Sequence, residues 1–254
     1  LVGIGRYHAR VKPPRPYQVT PHGPIERVDD NLWSVESAVP GIPGGLFPRR
    51  MSIVRLGDGT LLLHNAIPLD EAGLAALHAL GRPSLLVIPS PLHCLDANAV
   101  RERFGVRLLC PAGAARAVRE RTAVDGTLEE LPRDPAVRFE PLGGVPSGEG
   151  VLVVTSGAGE VAARLSLLLG DVLLNVPHLP GFWGFVYRLG GFTGRAKCGP
   201  IWLKRAVADR AALRASLERL ATTPGLHRLV PSHGPVIERD PGRVLVDVAR
   251  DIKG

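Results

Sequence analysis

The sequence has no apolar run of the roughly 18 residues that a membrane-spanning helix needs. Its longest candidate, Leu165 to Val176, is broken by Gly170 and Asp171, so a soluble protein with no membrane span is expected. The amino end lacks a charged segment followed by a long apolar stretch, so no secretory signal is visible; a chain that starts at Leu1 leaves a trimmed leader open. Cysteine is scarce. Cys94, Cys110 and Cys198 are odd in number and widely spaced, which argues against a disulfide framework or a zinc-ribbon pair and for a reducing, cytoplasmic setting. Acidic residues are also short, 24 against 31 Lys and Arg, giving a net charge of +7. The arginines are spread along the chain in the manner of solvated helix faces, so nucleic-acid binding ranks last among the functions considered. A small anionic substrate or ligand would be attracted equally well.

What is present suffices for a full core: 254 residues, 45% hydrophobic, point to one large domain. Residues 1–24, rich in Pro and Arg, read as an extended or flexible arm, and 25–254 as a single domain. The organising stretch is SLLVIPSPLHCLD, Ser84 to Asp96. Leu85 to Ile88 suit a buried strand that stops at Pro89; Ser90, His93, Cys94 and Asp96 follow on a loop entering a helix over 97–104, and polar groups at such strand ends commonly form sites. Before it, two hairpins turn at Asp29-Asp30-Asn31 and Gly57-Asp58-Gly59, and a helix is expected over 69–80. After it come strand 106–110, helix 112–121, strands near 137–140 and 151–156, the turn 157–160, and the pair ARLSLLLG and DVLLNV. An irregular Phe/Gly-rich stretch over 177–200 precedes a helix over 204–220, a strand in HRLVPSHGPVI and a helix over 241–252. Such an order fits an α/β protein in which two mixed sheets pack face to face with helices outside, an αββα four-layer sandwich.

Three short motifs, together with this order, resemble the metallo-β-lactamase superfamily over about residues 25 to 250, and within it a branch with reduced, degenerate strand-end motifs. The family's Thr-His-x-His-x-Asp-His is matched by Ser90-Pro91-Leu92-His93-Cys94-Leu95-Asp96, its Gly-Asp by Gly170-Asp171, and its Pro-x-His-Gly-Pro by Pro231-Ser232-His233-Gly234-Pro235. Carried over by position, two motif residues fall on Pro91 and Leu95, and the family's middle His falls within Ser156-Gly157-Ala158-Gly159. The resemblance therefore implies a single-metal site built from Asp96, Asp171 and His233 with His93 beside them, as ligand or general base. One zinc, iron or manganese ion would suit these donors. His93 and Asp96 would carry catalysis on an ester, amide or phosphodiester. His64, His178 and Cys94 are candidates to support the ligands from behind, and Cys94 is also weighed as a nucleophile. The alternative is a catalytically silent binding or scaffold protein that works through the Phe/Gly-rich loop 179–200, for which an apolar substrate wall or lid, a partner-binding patch and a loop packed on its own sandwich are all open.

Overall fold

The structure, a computed structural model, describes residues 15–157 and 163–253. Among these residues two sheets form. The first runs in sequence order through β1 (Glu26–Asp29), β2 (Leu32–Ala38), β3 (Pro48–Arg55), β4 (Leu61–His64), β5 (Pro83–Val87), β6 (Arg107–Cys110) and β7 (Gly126–Thr127). The first four are antiparallel, with short turns between β1 and β2 and between β3 and β4 and a longer loop, residues 39–47, between β2 and β3; β4 to β7 are parallel, because α1 (Glu71–Leu80) and α2 (Ala97–Phe104) carry the chain back between β4, β5 and β6. The second sheet has the order β11-β10-β9-β8, from β8 (Val137–Pro141), β9 (Gly150–Ser156), β10 (Arg164–Leu174) and β11 (Leu226–His233). The remaining helices are α3 (Ala115–Arg119), α4 (Gly181–Leu189), α5 (Pro200–Arg205), α6 (Arg210–Ala221) and α7 (Pro241–Asp251).

Alternating strand side chains sort into three apolar layers. Leu62, Leu85 and Val87 of the first sheet meet Leu152, Val154, Leu168 and Val230 of the second. On the outer face of the first sheet, Leu61, Leu63 and Leu86 pack with Leu74 and Leu77 of α1, Val100 of α2 and Val118 of α3. On that of the second, Val151, Val153 and Leu167 pack with Trp202, Leu213, Leu217 and Leu245 from α5, α6 and α7. Three cores between four layers make the αββα sandwich. Burial on both faces is why LLL and LLVI read as continuous apolar runs rather than alternating ones. No helix among the described residues is long and apolar enough to cross a membrane.

Several elements depart from expectation. ARLSLLLG and DVLLNV form one strand, β10, and Gly170 does not break it. That glycine serves close approach instead, since a Cβ there would lie 2.5 Å from Glu149 Oε1. The stretch 177–200 holds a helix, α4, although Phe, Trp and Gly are poor helix formers. Tertiary contacts override propensity: a Cβ on Gly184 would lie 1.9 Å from the Leu179 carbonyl, and Tyr187 and Phe192 meet Phe47 edge-on at 5.6 and 6.3 Å between ring centroids. The helix expected from Lys204 to Leu220 is split, because Asp209 caps α6 by accepting from the Ala211 and Ala212 amides. The helix expected over 112–121 opens as a 3-10 turn, Ala112–Ala114, and continues as α3. Of the expected arm, residues 1–14 lie outside the described residues, as do Ala158 to Glu160 of the expected turn. Further along the arm, the Tyr17 hydroxyl donates to the Leu69 carbonyl and accepts from its amide, and His22 pairs with Ser37 beside β2.

Candidate metal centre

The chain leaves β5 through Pro89 into a 3-10 turn, Pro91–His93, that Ser90 caps by accepting from the Leu92 amide at 3.3 Å. This turn brings His93 to the rim of the first sheet. The second sheet supplies the other groups: β10 and β11 are parallel neighbours, and their register shifts between Leu169 and Leu174, so Asp171 lies in the irregular segment beside the end of β11, where His233 stands. Irregular pairing of this kind re-aims side chains at sites.

His93 Nε2 lies 3.5 Å from Asp171 Oδ1 and His233 Nε2 lies 3.2 Å from the same oxygen. One donor atom from each of His93, Asp171 and His233 falls within 4.8 Å of the others. His233 Nδ1 stands 2.7 Å from the Pro48 carbonyl. A carbonyl only accepts, so Nδ1 carries the proton and the Nε2 lone pair faces a carboxylate oxygen, an acceptor against an acceptor. Either a second proton on His233 or a cation between the groups resolves that clash. Burial works against the imidazolium, yet Asp171 raises the His233 pKa above its ordinary value. Burial likewise opposes ionisation of Asp171, but the His93 and His233 rings hold its carboxyl well below the usual range. His93 Nε2 is buried with no hydrogen-bond partner. An orphaned imidazole nitrogen, an ionised carboxylate and a second imidazole oriented by a backbone carbonyl fit a divalent ion, the last being the usual support of a metal-binding His.

Asp96, expected among the ligands, stands outside this group. Its buried Oδ2 accepts from Arg49 Nη1 at 2.5 Å, with Arg15 Nη1 3.8 Å from Oδ1, so Asp96, at the N-cap position of α2, turns its carboxylate toward β3 and the arm instead of capping the helix. A carboxylate so engaged is neither a free ligand nor a general base. His64, at the end of β4, is buried; burial, with His93 adding to it, holds its imidazole down to about 3, so it is neutral. His178 is exposed and pairs through Nδ1 with Thr193 Oγ1 at 3.1 Å. Burial pushes the Cys94 thiol up to about 12, which removes it as a nucleophile.

Two further residues complete the site. The middle motif His was sought around Ser156, but β9 and β10 are antiparallel with Ser156 opposite Arg164, so the end of β9 is remote and its beginning adjoins Asp171. There Glu149, fully buried, accepts from Trp202 Nε1 at 2.7 Å through Oε2 and leaves Oε1 unpaired. Pairing residues 151–156 against 164–169 is the sequence signal that finds it. Asn65 follows β4 with φ 69°, a left-handed conformation uncommon outside glycine. Its Nδ2 donates to Arg50 O and Ser232 Oγ while Oδ1 is buried and unpaired. Asn65, His93, Asp171 and His233 line a cleft of about 220 Å³ whose apolar wall includes Ile42, Phe47, Ile67, Leu92 and Leu95.

Burial, then the Asp171 carboxylate, pushes the Glu149 carboxyl up to about 8 against the Trp202 bond. An acid whose folded pKa exceeds its unfolded value stabilises fully below the unfolded pKa, near 4.5, and loses that contribution as pH rises to about 8. In chelator-treated protein, Glu149→Gln is expected to remove roughly 1.4 kcal/mol per pH unit of falling stability within that window. Urea denaturation of both proteins across the window checks this, and equal slopes would contradict it.

No family model and no curated protein matches the sequence. Solved structures do. The metallo-β-lactamase DIM-1 exposed to ceftazidime superposes with TM-score 0.61 at 14% identity, covering 93% of this chain and 100% of that one. The metallo-β-lactamase FIM-1 of Pseudomonas aeruginosa in its mono-zinc form gives 0.61 at 15%, covering 91% and 96%. A metallo-β-lactamase of Hirschia baltica gives 0.60 at 14%, covering 89% and 98%. The chain has the metallo-β-lactamase fold.

Proposed function

We propose that the chain is a hydrolase that holds one divalent metal ion through His93, Asp171 and His233 and acts on a small ester, amide or phosphodiester. The observation that carries this reading is the convergence of three donor atoms, one of them an orphaned His93 Nε2, at the floor of a cleft. Two imidazoles and a carboxylate suit zinc, iron or manganese, and the structural neighbour FIM-1 was solved in a mono-zinc form. When bound, the ion would supply Lewis acidity toward a carbonyl or phosphoryl oxygen and toward water.

The chain's own residues do the rest. Pro48 fixes the His233 tautomer so that Nε2 faces the donor cluster. Asn65, held by Arg50 and Ser232, presents an unpaired amide oxygen that would accept from a substrate N–H or O–H. The wall from Ile42 to Leu95 would exclude water from a short apolar group. The three cysteines are free and buried, which favours a reducing compartment such as the cytoplasm.

Elemental analysis of protein purified without chelator is expected to find about one equivalent of a single transition metal. Less than about a tenth of an equivalent, with no uptake on reconstitution, would overturn the reading and leave the binding-protein alternative, which the exposed aromatics of α4 favour.

A further inference from the structure

Helix α4 turns its apolar side outward. Phe182 is 71% exposed, Phe185 57% and Leu189 72%. At offsets of three and seven residues these three share one stripe of the helix, while Gly184 faces the protein. Trp183 flanks the stripe, and the loop before β3 meets it: the Tyr187 hydroxyl donates to the Pro43 carbonyl, and that loop exposes Leu46. Ile201, at the start of α5, is half exposed as well.

The stretch of chain that carries most of this surface has charge of one sign. From Val172 to Ala208 the chain contains Arg188, Arg195, Lys197, Lys204 and Arg205 and not one Asp or Glu. Arg188 borders the apolar stripe on α4, and Lys204 and Arg205 are exposed on α5. Of these cations Arg195 pairs with Asp251, brought in from α7. Exposed Phe, Trp and Leu edged by Lys and Arg are the composition of a helix that lies in the interfacial plane of a bilayer, its apolar face among the acyl chains and its cations at the headgroups.

We propose that α4, with the loop before β3 and the start of α5, docks on the surface of an anionic lipid bilayer, Phe182, Phe185 and Leu189 entering the interface. A second copy of the chain fits less well. A two-fold contact would set the same patch against itself, bringing two sets of cations together with no carboxylate in the stretch to offset them. The cleft wall residue Phe47 packs on Tyr187 from the other side of α4, so docking would set the cleft beside the lipid surface. The proposal stands apart from the metal reading, and its test reads no activity.

The test uses the whole chain and two sets of vesicles, phosphatidylcholine alone and an equal mixture of phosphatidylcholine and phosphatidylglycerol. Sedimentation at low ionic strength is expected to carry the protein down with the anionic vesicles and not with the zwitterionic ones, with a blue shift of tryptophan emission. The variant Phe182→Ser/Phe185→Ser, with an unchanged circular dichroism spectrum, is expected to bind at least about tenfold more weakly. Arg188→Ala is expected to cost about fivefold. Failure of the native chain to bind anionic vesicles, or undiminished binding by the double variant, would overturn the proposal. So would a native dimer in sedimentation velocity that the double variant converts to monomer without any vesicle binding by the native chain, which would assign the surface to self-association.

Discussion

Asp171→Ala is expected to leave a folded protein that no longer retains a metal ion. The carboxylate is the group that both imidazoles face, at 3.5 Å from His93 and 3.2 Å from His233. Without it, two imidazole nitrogens remain, their rings 5.5 Å apart between centroids, and the neighbouring Glu149 carboxyl, pushed up to about 8 chiefly by burial, is a poor replacement for an ionised ligand. Loss of a residue that merely supports a ligand weakens metal binding by about 10- to 100-fold, so loss of the shared carboxylate is expected to exceed about 100-fold. Equilibrium dialysis with a competing chelator measures it. Native-like affinity in the variant would remove Asp171 from the centre and with it the proposed hydrolase.

Asp96→Ala is expected to do the reverse, costing stability and sparing the metal. Asp96 and Arg49 are both buried and joined at 2.5 Å, so the truncation strands a guanidinium in the interior. Breaking such a pair from one side costs about 3–5 kcal/mol, whereas replacing both partners with apolar groups is often neutral. Urea denaturation is therefore expected to show a loss of about that size for Asp96→Ala and a much smaller one for Arg49→Met/Asp96→Leu, both variants keeping their metal. A stable Asp96→Ala protein that had lost its metal would return Asp96 to the ligand set.

Much of the architecture was legible because burial on both faces writes continuous apolar strands, and Gly and Pro mark where they end. His93 and His233 sit next to such marks, Pro89 and Pro91 for the one and Gly234-Pro235 for the other, whereas Asp171 follows Gly170 inside β10. Less local facts stayed hidden. Arg49, the partner that takes Asp96 away, is 47 residues distant in the chain. Glu149 becomes a neighbour of Asp171 only through the antiparallel register of β9 on β10. The helix α4 contradicts its own propensity and exists through Phe47, Tyr187 and the space left by Gly184. Composition could mark that stretch as unusual without giving its shape.

The donors of the centre come from both halves of the sandwich, His93 from one sheet and Asp171 and His233 from the other. A cation there would act as a cross-tie, fastening the two halves at the edge where the interlayer core runs out. Heat resistance should then climb with the concentration of free ion, by mass action on the native form alone, and chelation should first loosen the seam between the halves.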